Sequence, residues 1–408
     1  MFRVEYLRLT EHPQLGNIEL FLSDIEELNN DLKPYTSVII GPNGTGKSFI
    51  LRTISDILMQ FNIFKTSEIR KINLPYGFQF RYFLEGNSYE IVSSIQILNG
   101  KNKIRSYDYY MNRPFSIENN FFLNKKFNDY KIPFQKLEFP NYIIVNSILQ
   151  TDRFLFKNSK PDDFYQYLGA RSTSSTSSTK SSSRKTIKYL FNASSNNTNF
   201  KNNLKDLLDF LSFEKSLKIN YTTKINKLFF SGKLTDDNFK RYFEEWWHDD
   251  FTYSKRSQNN PLWSIPHYNN YFRGNSKKIS DTVEYLNYIA TNKLTHKARS
   301  TSKILSIDLF DNNLSEEEFE IIRQLEYLDI INIDGIIINK NNSTLSLNDI
   351  SSGEFHLIIS MIGIFSKIEN NCLVLIDEPE ISLHPNWQMQ YISFLKKVFS
   401  KYASCHFI

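Results

Sequence analysis

The most restrictive feature of the sequence is the segment Gly41–Ser48, which reads GPNGTGKS and directly follows the apolar run Ser37–Ile40. A strand, the pattern G-x-x-x-x-G-K-S and a helix together form a loop that binds phosphate groups. Its glycines let backbone N–H groups converge on phosphate oxygens, Lys47 adds a positive charge, and the Ser48 hydroxyl is a ligand for Mg²⁺. The helix expected over Phe49–Gln60 points its positive N-terminus at the anion. The predicted nucleotide-binding residues are Gly41, Pro42, Asn43, Gly44, Thr45, Gly46, Lys47 and Ser48.

A second element lies far along the chain, where the apolar run Cys372–Ile376 ends in two carboxylates, Asp377 and Glu378. Such a run is typical of a buried parallel strand. Ligands of open α/β sheets bind at the carboxyl ends of the strands, so we predict that Asp377 lies beside the phosphate loop and holds Mg²⁺ directly or through water. Glu378 is then the predicted catalytic base, which polarises the water that attacks a γ-phosphate. The alternative is a solvated acidic turn after a core strand.

The residues around these carboxylates resemble a known family. Leu375–Pro385 reads LIDEPEISLHP and looks like the Walker B motif and D-loop of ABC-type ATPases outside the transporters. That group includes the SMC, RecF and OLD-like proteins and the ATPases of bacterial anti-phage systems. Leu347–Glu354 reads LNDISSGE and is similar to the ABC signature. The resemblance implies that ATP is the nucleotide and that the signature grips the γ-phosphate bound to the opposite subunit.

The signature residues carried over by position are Ser351, Ser352, Gly353 and Glu354. In the family, Ser351 would supply the hydroxyl and Gly353 a backbone N–H. Ser352 stands where many relatives have glycine, which raises the local backbone constraint. The alternative is an ordinary helix cap, because Ser351 followed three residues later by Glu354 is also a capping box. Both interpretations can hold together.

Two other parts of the family's site are a Q-loop glutamine and a switch histidine. Gln150 follows the expected core strand Asn141–Asn146 and is placed as the Q-loop residue that touches Mg²⁺; a polar residue ending a strand is the alternative. His406 lies at the start of the strand that precedes the switch position in relatives, and we expect it to be structural. Either the natural protein continues past Ile408, or this copy lacks that γ-phosphate sensor and hydrolyses ATP slowly.

Composition limits the compartment and the partners. The sequence has 408 residues, 40% of them hydrophobic, without an apolar run long enough to span a bilayer or an N-terminal signal-peptide pattern. Its two cysteines give no disulfide framework, so we predict a cytoplasmic protein with no membrane partner. With 49 basic and 44 acidic residues, the formal net charge of +5 is too small to indicate nucleic-acid binding by itself.

The expected fold is α/β: a P-loop NTPase of ABC-ATPase type with an antiparallel β subdomain and a largely helical insertion. Alternating apolar and polar residues over about 75–110 predict the antiparallel strands. Ser315 with Glu318 marks the clearest start of a helix in the insertion. The predicted parts are 1–170 for the N-terminal half of the ATPase head, 171–197 for a Ser/Thr-rich mobile loop, 198–330 for the helical insertion and 331–408 for the C-terminal half.

The resemblance implies an ATPase that dimerises, or forms a higher homo-oligomer, around ATP and Mg²⁺. It would regulate a separate effector, a nuclease, in anti-phage defence of the Septu or retron-associated kind. Glu244–Asp250 has carboxylates and a histidine, but adjacent side chains on a helix diverge, so we predict no nuclease metal site there. One alternative is a RecF- or SMC-like DNA-binding ATPase that uses basic residues such as Arg273–Lys278. The other is a nucleotide-switched scaffold with little turnover.

Overall fold

The computed structural model divides the chain into two compact units, Met1–Ser182 together with Ser352–Ile408, and Ser183–Ser351. The residues that it describes are 1–24, 33–66, 72–98, 102–115, 125–149, 151–157, 163–169, 171, 186–187, 189–190, 199–223, 229–243, 264–296, 303–311, 315–381 and 383–408. None of the helices in these ranges is both long enough and apolar enough to cross a membrane.

The described residues form three five-stranded sheets, two in the first unit and one in the second. The first unit begins with β1 (Phe2–His12), β2 (Gly16–Phe21), β3 (Tyr35–Thr36), α1 (Lys47–Thr66), β4 (Gly77–Leu84), β5 (Asn87–Leu98), β6 (Asn102–Met111), β7 (Ile143–Ser147) and β8 (Tyr165–Tyr167). The second contains α2 (Phe200–Phe210), β9 (Leu217–Thr223), α3 (Ser264–Tyr271), α4 (Ser276–Asn292), β10 (Leu294–His296), β11 (Lys303–Asp308), α5 (Glu316–Tyr327), β12 (Ile331–Lys340) and β13 (Ser343–Ser346). The chain then returns to the first unit with α6 (Ser352–Phe365), β14 (Leu373–Asp377), α7 (Pro385–Val398) and β15 (His406–Phe407).

A parallel sheet in the first unit positions the phosphate loop and the carboxylates Asp377 and Glu378. Its strand order is β3-β15-β14-β7-β8, so β15 lies between the strand that leads to the phosphate loop and β14. The strands run parallel, with Asp377 of β14 opposite Ser147 of β7. Parallel strands present their carboxyl ends at one edge of a sheet. The loop after β3 and the carboxylates that end β14 therefore lie at the same edge.

The second sheet of the first unit is antiparallel, with the order β2-β1-β4-β5-β6. Its side chains and those of the parallel sheet belong to one apolar core, which also takes the buried face of α1. Phe61 of α1 illustrates this packing, because its ring lies 6.0 Å from Phe78 and 5.1 Å from Tyr107. Burial of an aromatic or aliphatic side chain of this size stabilises the fold by about 1.5–3 kcal/mol. The core thus holds α1, and with it Lys47 and Ser48, against both sheets.

The strand before the phosphate loop differs from the sequence prediction. We expect it over Ser37–Ile40, yet the paired residues of β3 are Tyr35 and Thr36. Ser37 still donates its backbone N–H to Phe407 O at 2.9 Å, but Val38 is 57% and Ile40 89% exposed. The reason is that β3 is the edge strand of its sheet and its one neighbour, β15, comprises two residues. An apolar run does not reveal whether its strand is central or at an edge.

The second unit, which extends to Ser351, contains helices within the expected insertion 198–330 and also a sheet that the sequence does not predict. Besides helices, it contains an antiparallel sheet with the order β10-β11-β9-β12-β13. The strand β9 follows a clear period of two, because Leu217, Ile219 and Tyr221 are buried while Lys218 between them is exposed. The helix start at Ser315 is confirmed: its side chain accepts the N–H of Glu318 in a complete capping box.

His406 of β15 connects β1 with the segment that follows β3. It is completely buried, and its Nδ1 accepts the backbone N–H of Val4 at 2.9 Å. The neutral ring therefore carries its proton on Nε2, which donates to Ser37 Oγ at 2.8 Å, and that hydroxyl donates to the carbonyl of Leu22. Burial, with a smaller effect of the Arg3 charge, lowers the pKa of His406 to about 3. These bonds agree with the structural role expected from the sequence.

Acid is expected to destabilise the first unit through His406. Its folded-state pKa of about 3 lies below the ordinary 6.5. The neutral ring's contribution is therefore complete above about pH 6.5 and is lost as the pH falls, by about 1.4 kcal/mol per pH unit. Between about pH 7.5 and about pH 5, urea unfolding should show a loss of about 2 kcal/mol that His406→Asn lacks. Asparagine keeps an acceptor near Nδ1 but does not titrate. Equal losses in both proteins would contradict a neutral, buried His406.

Candidate nucleotide-binding site

The phosphate loop has the backbone that its glycines predict. Gly44 and Gly46 have φ values of +84° and +95°, a region that residues with a side chain rarely adopt. The Nζ of Lys47 folds back over the loop and donates to the carbonyl oxygens of Gly41 at 2.7 Å and Pro42 at 3.1 Å. A phosphate oxygen is a stronger acceptor for an ammonium group than a carbonyl, so an anion at this position would replace these two contacts.

Ser48 and Asp377 meet although 329 positions separate them in the sequence. The Ser48 hydroxyl, in the first turn of α1, donates to Asp377 Oδ1 at 2.9 Å. Asp377 is 3% exposed at the end of β14. Burial is the largest cause that raises its pKa to about 6; the negative charges of Glu378, Asp152 and Glu380 add to it, while the bond from Ser48 lowers it. The Ser48 hydroxyl and the buried Asp377 carboxylate therefore lie where negative charge is in excess.

The oxygens of Ser48 and Asp377 are suitable ligands for Mg²⁺. This ion prefers hard oxygen ligands and usually takes one or two from the protein, together with substrate phosphates and water. A cation near Asp377 would also offset the neighbouring negative charges that raise its pKa. Ser48 and Asp377 are therefore the residues that would hold the ion, which would offset the negative charge of nucleotide phosphates.

Glu378 lies directly after Asp377 and is half-buried. Its φ of +50° is unusual for a residue with a side chain, so the backbone turns sharply at the end of β14. A cavity of about 340 Å³ is lined by residues of the phosphate loop, of the end of β14 and of α7; they include Gly41, Asn43, Lys47, Asp377 and Glu378. The structure thus brings the ammonium group of the loop and the two predicted carboxylates to one cavity.

Three residues that sequence reasoning does not identify support the loop. Leu15, in the turn between β1 and β2, packs on Gly46, where an added Cβ would lie 2.3 Å from Leu15 Cδ2. The Nδ1 of His12 accepts the N–H of Leu15 at 3.1 Å, and its Nε2 lies 3.1 Å from the hydroxyl of Thr53 in α1. No sequence pattern links these residues, because 41 positions separate His12 and Thr53. Only the fold brings them together.

The signature residues lie at the start of α6. Ser351 and Ser352 are exposed, whereas Gly353 and Glu354 are buried. None of the four is among the described residues that line the cavity around Lys47 and Asp377. The described residues that line this cavity thus come from the loop and from the end of β14, among others, and do not include the signature.

Several residues singled out in the sequence lie outside the described residues. Gln150, the candidate Q-loop residue, is one of them. The acidic cluster Glu244–Asp250 is another, as is most of the Ser/Thr-rich segment 171–197. Their assignments remain predictions from the sequence.

Comparisons with known proteins show which protein family this chain belongs to. No protein with a curated description matches the chain. Among 39 matching chains of solved structures is the Smc head domain of Pyrococcus furiosus, crystallised with an extended coiled coil and bound to the C-terminal domain of ScpA. It shares 10% sequence identity with a TM-score of 0.32, and the match covers 100% of this chain and 89% of that one. A TM-score of this size is too low to support an inference.

A family model provides the stronger result. The model described as the AAA ATPase domain matches residues 24–403, which include the phosphate loop, the Ser48–Asp377 pair, the whole second unit and most of the first. A match over nearly the whole sequence does not depend on any single motif. The chain therefore belongs to the family of AAA ATPase domains.

Proposed function

We propose that this chain is a subunit of an ABC-type ATPase that binds ATP with Mg²⁺, dimerises around it and hydrolyses it. The observation that supports this best is the 2.9 Å hydrogen bond between Ser48 and Asp377. Either motif alone has an ordinary alternative, such as an acidic turn after a core strand. A phosphate loop joined to a strand that ends in two carboxylates is instead the arrangement that phosphoryl chemistry on a nucleotide requires.

Binding would begin at the loop. The N–H groups of Gly41–Ser48 and the N-terminus of α1 would receive the phosphates, and Lys47 would exchange its two carbonyl partners for phosphate oxygens. Ser48 and Asp377 would hold Mg²⁺, which when bound offsets the negative charge of the phosphates. Asp377 must be ionised for this purpose, and with a pKa of about 6 it is mainly ionised at neutral pH.

Hydrolysis would depend on Glu378 and on a second copy of the chain. Glu378 lies beside Asp377 in the same cavity, so its carboxylate can accept a proton from a water molecule at the γ-phosphate. Ser351, Ser352, Gly353 and Glu354 would complete the site from the partner subunit. None of these four residues lines the cavity of their own chain, which agrees with an arrangement in which each site uses two chains. ATP would then favour the closed dimer and hydrolysis its opening.

For the biological role, we propose that the nucleotide state regulates a separate effector, a nuclease, in anti-phage defence. This part rests on the resemblance of the motifs Leu375–Pro385 and Leu347–Glu354 to those of defence ATPases. It can be tested by counting plaques on bacteria that carry the gene with its neighbouring genes. Phage should form fewer plaques on these cells than on cells with the Lys47→Ala variant. Equal plaque numbers for a broad set of phages would contradict a role in defence.

Turnover of ATP by the purified protein tests the proposed activity directly. The wild type should hydrolyse ATP only with Mg²⁺, and Lys47→Ala should bind ATP about 100-fold more weakly because two charge-assisted hydrogen bonds are lost. Isothermal titration calorimetry and phosphate release measure both quantities. Strong stimulation by linear duplex DNA would favour the RecF- or SMC-like alternative, and tight binding without turnover would favour a scaffold. Absence of ATP binding by the wild type would exclude the proposal.

A further inference from the structure

A buried ion pair fixes the chain between β7 and β8 in the first unit. The side chain of Asp152 is fully buried and accepts hydrogen bonds from Arg171 Nη2 at 2.7 Å and Nε at 3.0 Å. The hydroxyl of Tyr167 donates to the same carboxylate at 2.5 Å, and the backbone N–H of Phe154 does so at 3.0 Å. Four donors on one carboxylate leave it little capacity for further partners. Asp152 therefore acts as an anchor for the residues beside it.

This anchor determines where Arg153 lies. Asp152 and Phe154 on either side are buried, so the side chain of Arg153 points outward and is exposed. Its guanidinium group lies over the ring of Phe49, 5.3 Å from the centroid. Phe49 directly follows Ser48 in the first turn of α1. Arg153 is thus held at the end of α1 that carries Ser48 and Lys47.

Among the described residues, the guanidinium group of Arg153 has no carboxylate partner. The N-terminus of a helix is positive, and Lys47 adds another cation to the same turn. Within the part of the chain that the structure describes, Arg153 forms no ion pair, and the carboxylate of Asp152 is already occupied by Arg171. A guanidinium group without an ion-pair partner can bind an anion that reaches this end of α1. A phosphate group of a bound nucleotide is an anion that suits this position.

We propose that Arg153 is a further binding residue of the nucleotide site, whose guanidinium group contacts the terminal phosphate of ATP. This inference rests on the proposed function, because it requires ATP at the phosphate loop. The planar guanidinium group of arginine can donate two parallel hydrogen bonds to phosphate, which lysine cannot. The cation–π contact with the ring of Phe49 holds the guanidinium group in place.

The test compares Mg²⁺ complexes of ADP and of AMP-PNP, an ATP analogue that resists hydrolysis. Arg153→Ala should bind AMP-PNP about 10- to 100-fold more weakly than the wild type and ADP equally well. Arg153→Lys should recover part of the affinity, because it keeps the charge but not the planar geometry. Phe49→Leu should weaken AMP-PNP binding by a smaller factor, because the cation–π contact with Arg153 is lost while an apolar side chain remains. Unchanged ADP binding also shows that the variants are folded.

Lys157→Ala is the matched control, since Lys157 is an exposed cation of the same segment that already pairs with Asp163 at 3.0 Å. It should bind AMP-PNP like the wild type. The inference is overturned if Arg153→Ala binds AMP-PNP normally, or loses AMP-PNP and ADP equally. It is also overturned if only binding of duplex DNA falls, which would assign Arg153 to a nucleic-acid phosphate. A wild type that binds neither nucleotide would instead contradict the proposed function itself.

Discussion

Replacing Gly46 with alanine is expected to weaken ATP binding about 100-fold, because the loop would lose at least one phosphate-binding N–H group and its neighbours would shift. Gly46 has a φ of +95°, and a residue with a Cβ strains the backbone there whatever the available space. The strain is relieved only if the backbone rotates, and this turns the N–H away from the anion. The measurement is the dissociation constant of ATP with Mg²⁺ for both proteins.

The contact with Leu15 has a smaller effect than the backbone. An alanine Cβ at position 46 would lie 2.3 Å from Leu15 Cδ2, but that atom is the end of a flexible side chain and can move aside. The double variant Gly46→Ala/Leu15→Ala should therefore bind ATP nearly as weakly as Gly46→Ala. Full recovery in the double variant would show that the steric contact dominates.

Gly41→Ala is the matched control within the same loop. Gly41 is not among the residues with positive φ, and its added Cβ would meet Thr45 Oγ1 at 3.0 Å, a contact that a small shift relieves. We expect this variant to lose only a few-fold in affinity, because about 1 kcal/mol corresponds to a factor of about five. If Gly41→Ala and Gly46→Ala lost the same affinity, general crowding of the loop would explain both results and the backbone explanation would be wrong.

The sequence predicts those parts of the site whose residues are close together in the chain. The phosphate loop requires glycines beside a lysine and a serine, and the buried strand β14 requires an apolar run before Asp377, so both leave local patterns. The carboxyl-edge rule then predicts their meeting, and the hydrogen bond between Ser48 and Asp377 confirms that they are close. The roles of these residues in catalysis remain predictions.

The remaining features depend on contacts that no local pattern encodes. The ion pair of Asp152 with Arg171 and the support of the loop by His12 and Leu15 arise from packing between distant segments. The same limit explains the exposed Ile40, because an apolar run gives no information about the number of neighbouring strands. In the second unit, the sequence correctly predicts the helix that begins after Ser315. It does not predict β9, because the alternating pattern of this strand is only seven residues long and lies among helical segments.

Glu378→Gln is expected to lower the turnover number by about 10²- to 10⁴-fold, the usual contribution of a general base. Glutamine has nearly the same shape as glutamate but cannot accept the proton of the attacking water. ATP binding should persist, because the proposed phosphate and Mg²⁺ contacts come from Lys47, Ser48 and Asp377. The φ of +50° at position 378 is equally unfavourable for both side chains, so folding should not change.

If each site is completed by a partner's signature residues, ATP should hold this variant in the closed state. Light scattering with ATP and Mg²⁺ should then show an assembly of at least two chains for Glu378→Gln, and a smaller species without nucleotide. Glu369→Gln is the matched control, since Glu369 is an exposed carboxylate before β14 that does not line the cavity, and this variant should hydrolyse ATP like the wild type. Turnover that survives in Glu378→Gln would assign the base to another residue. Loss of turnover without any ATP-dependent change in mass would retain Glu378 as the base but exclude a site shared between two chains.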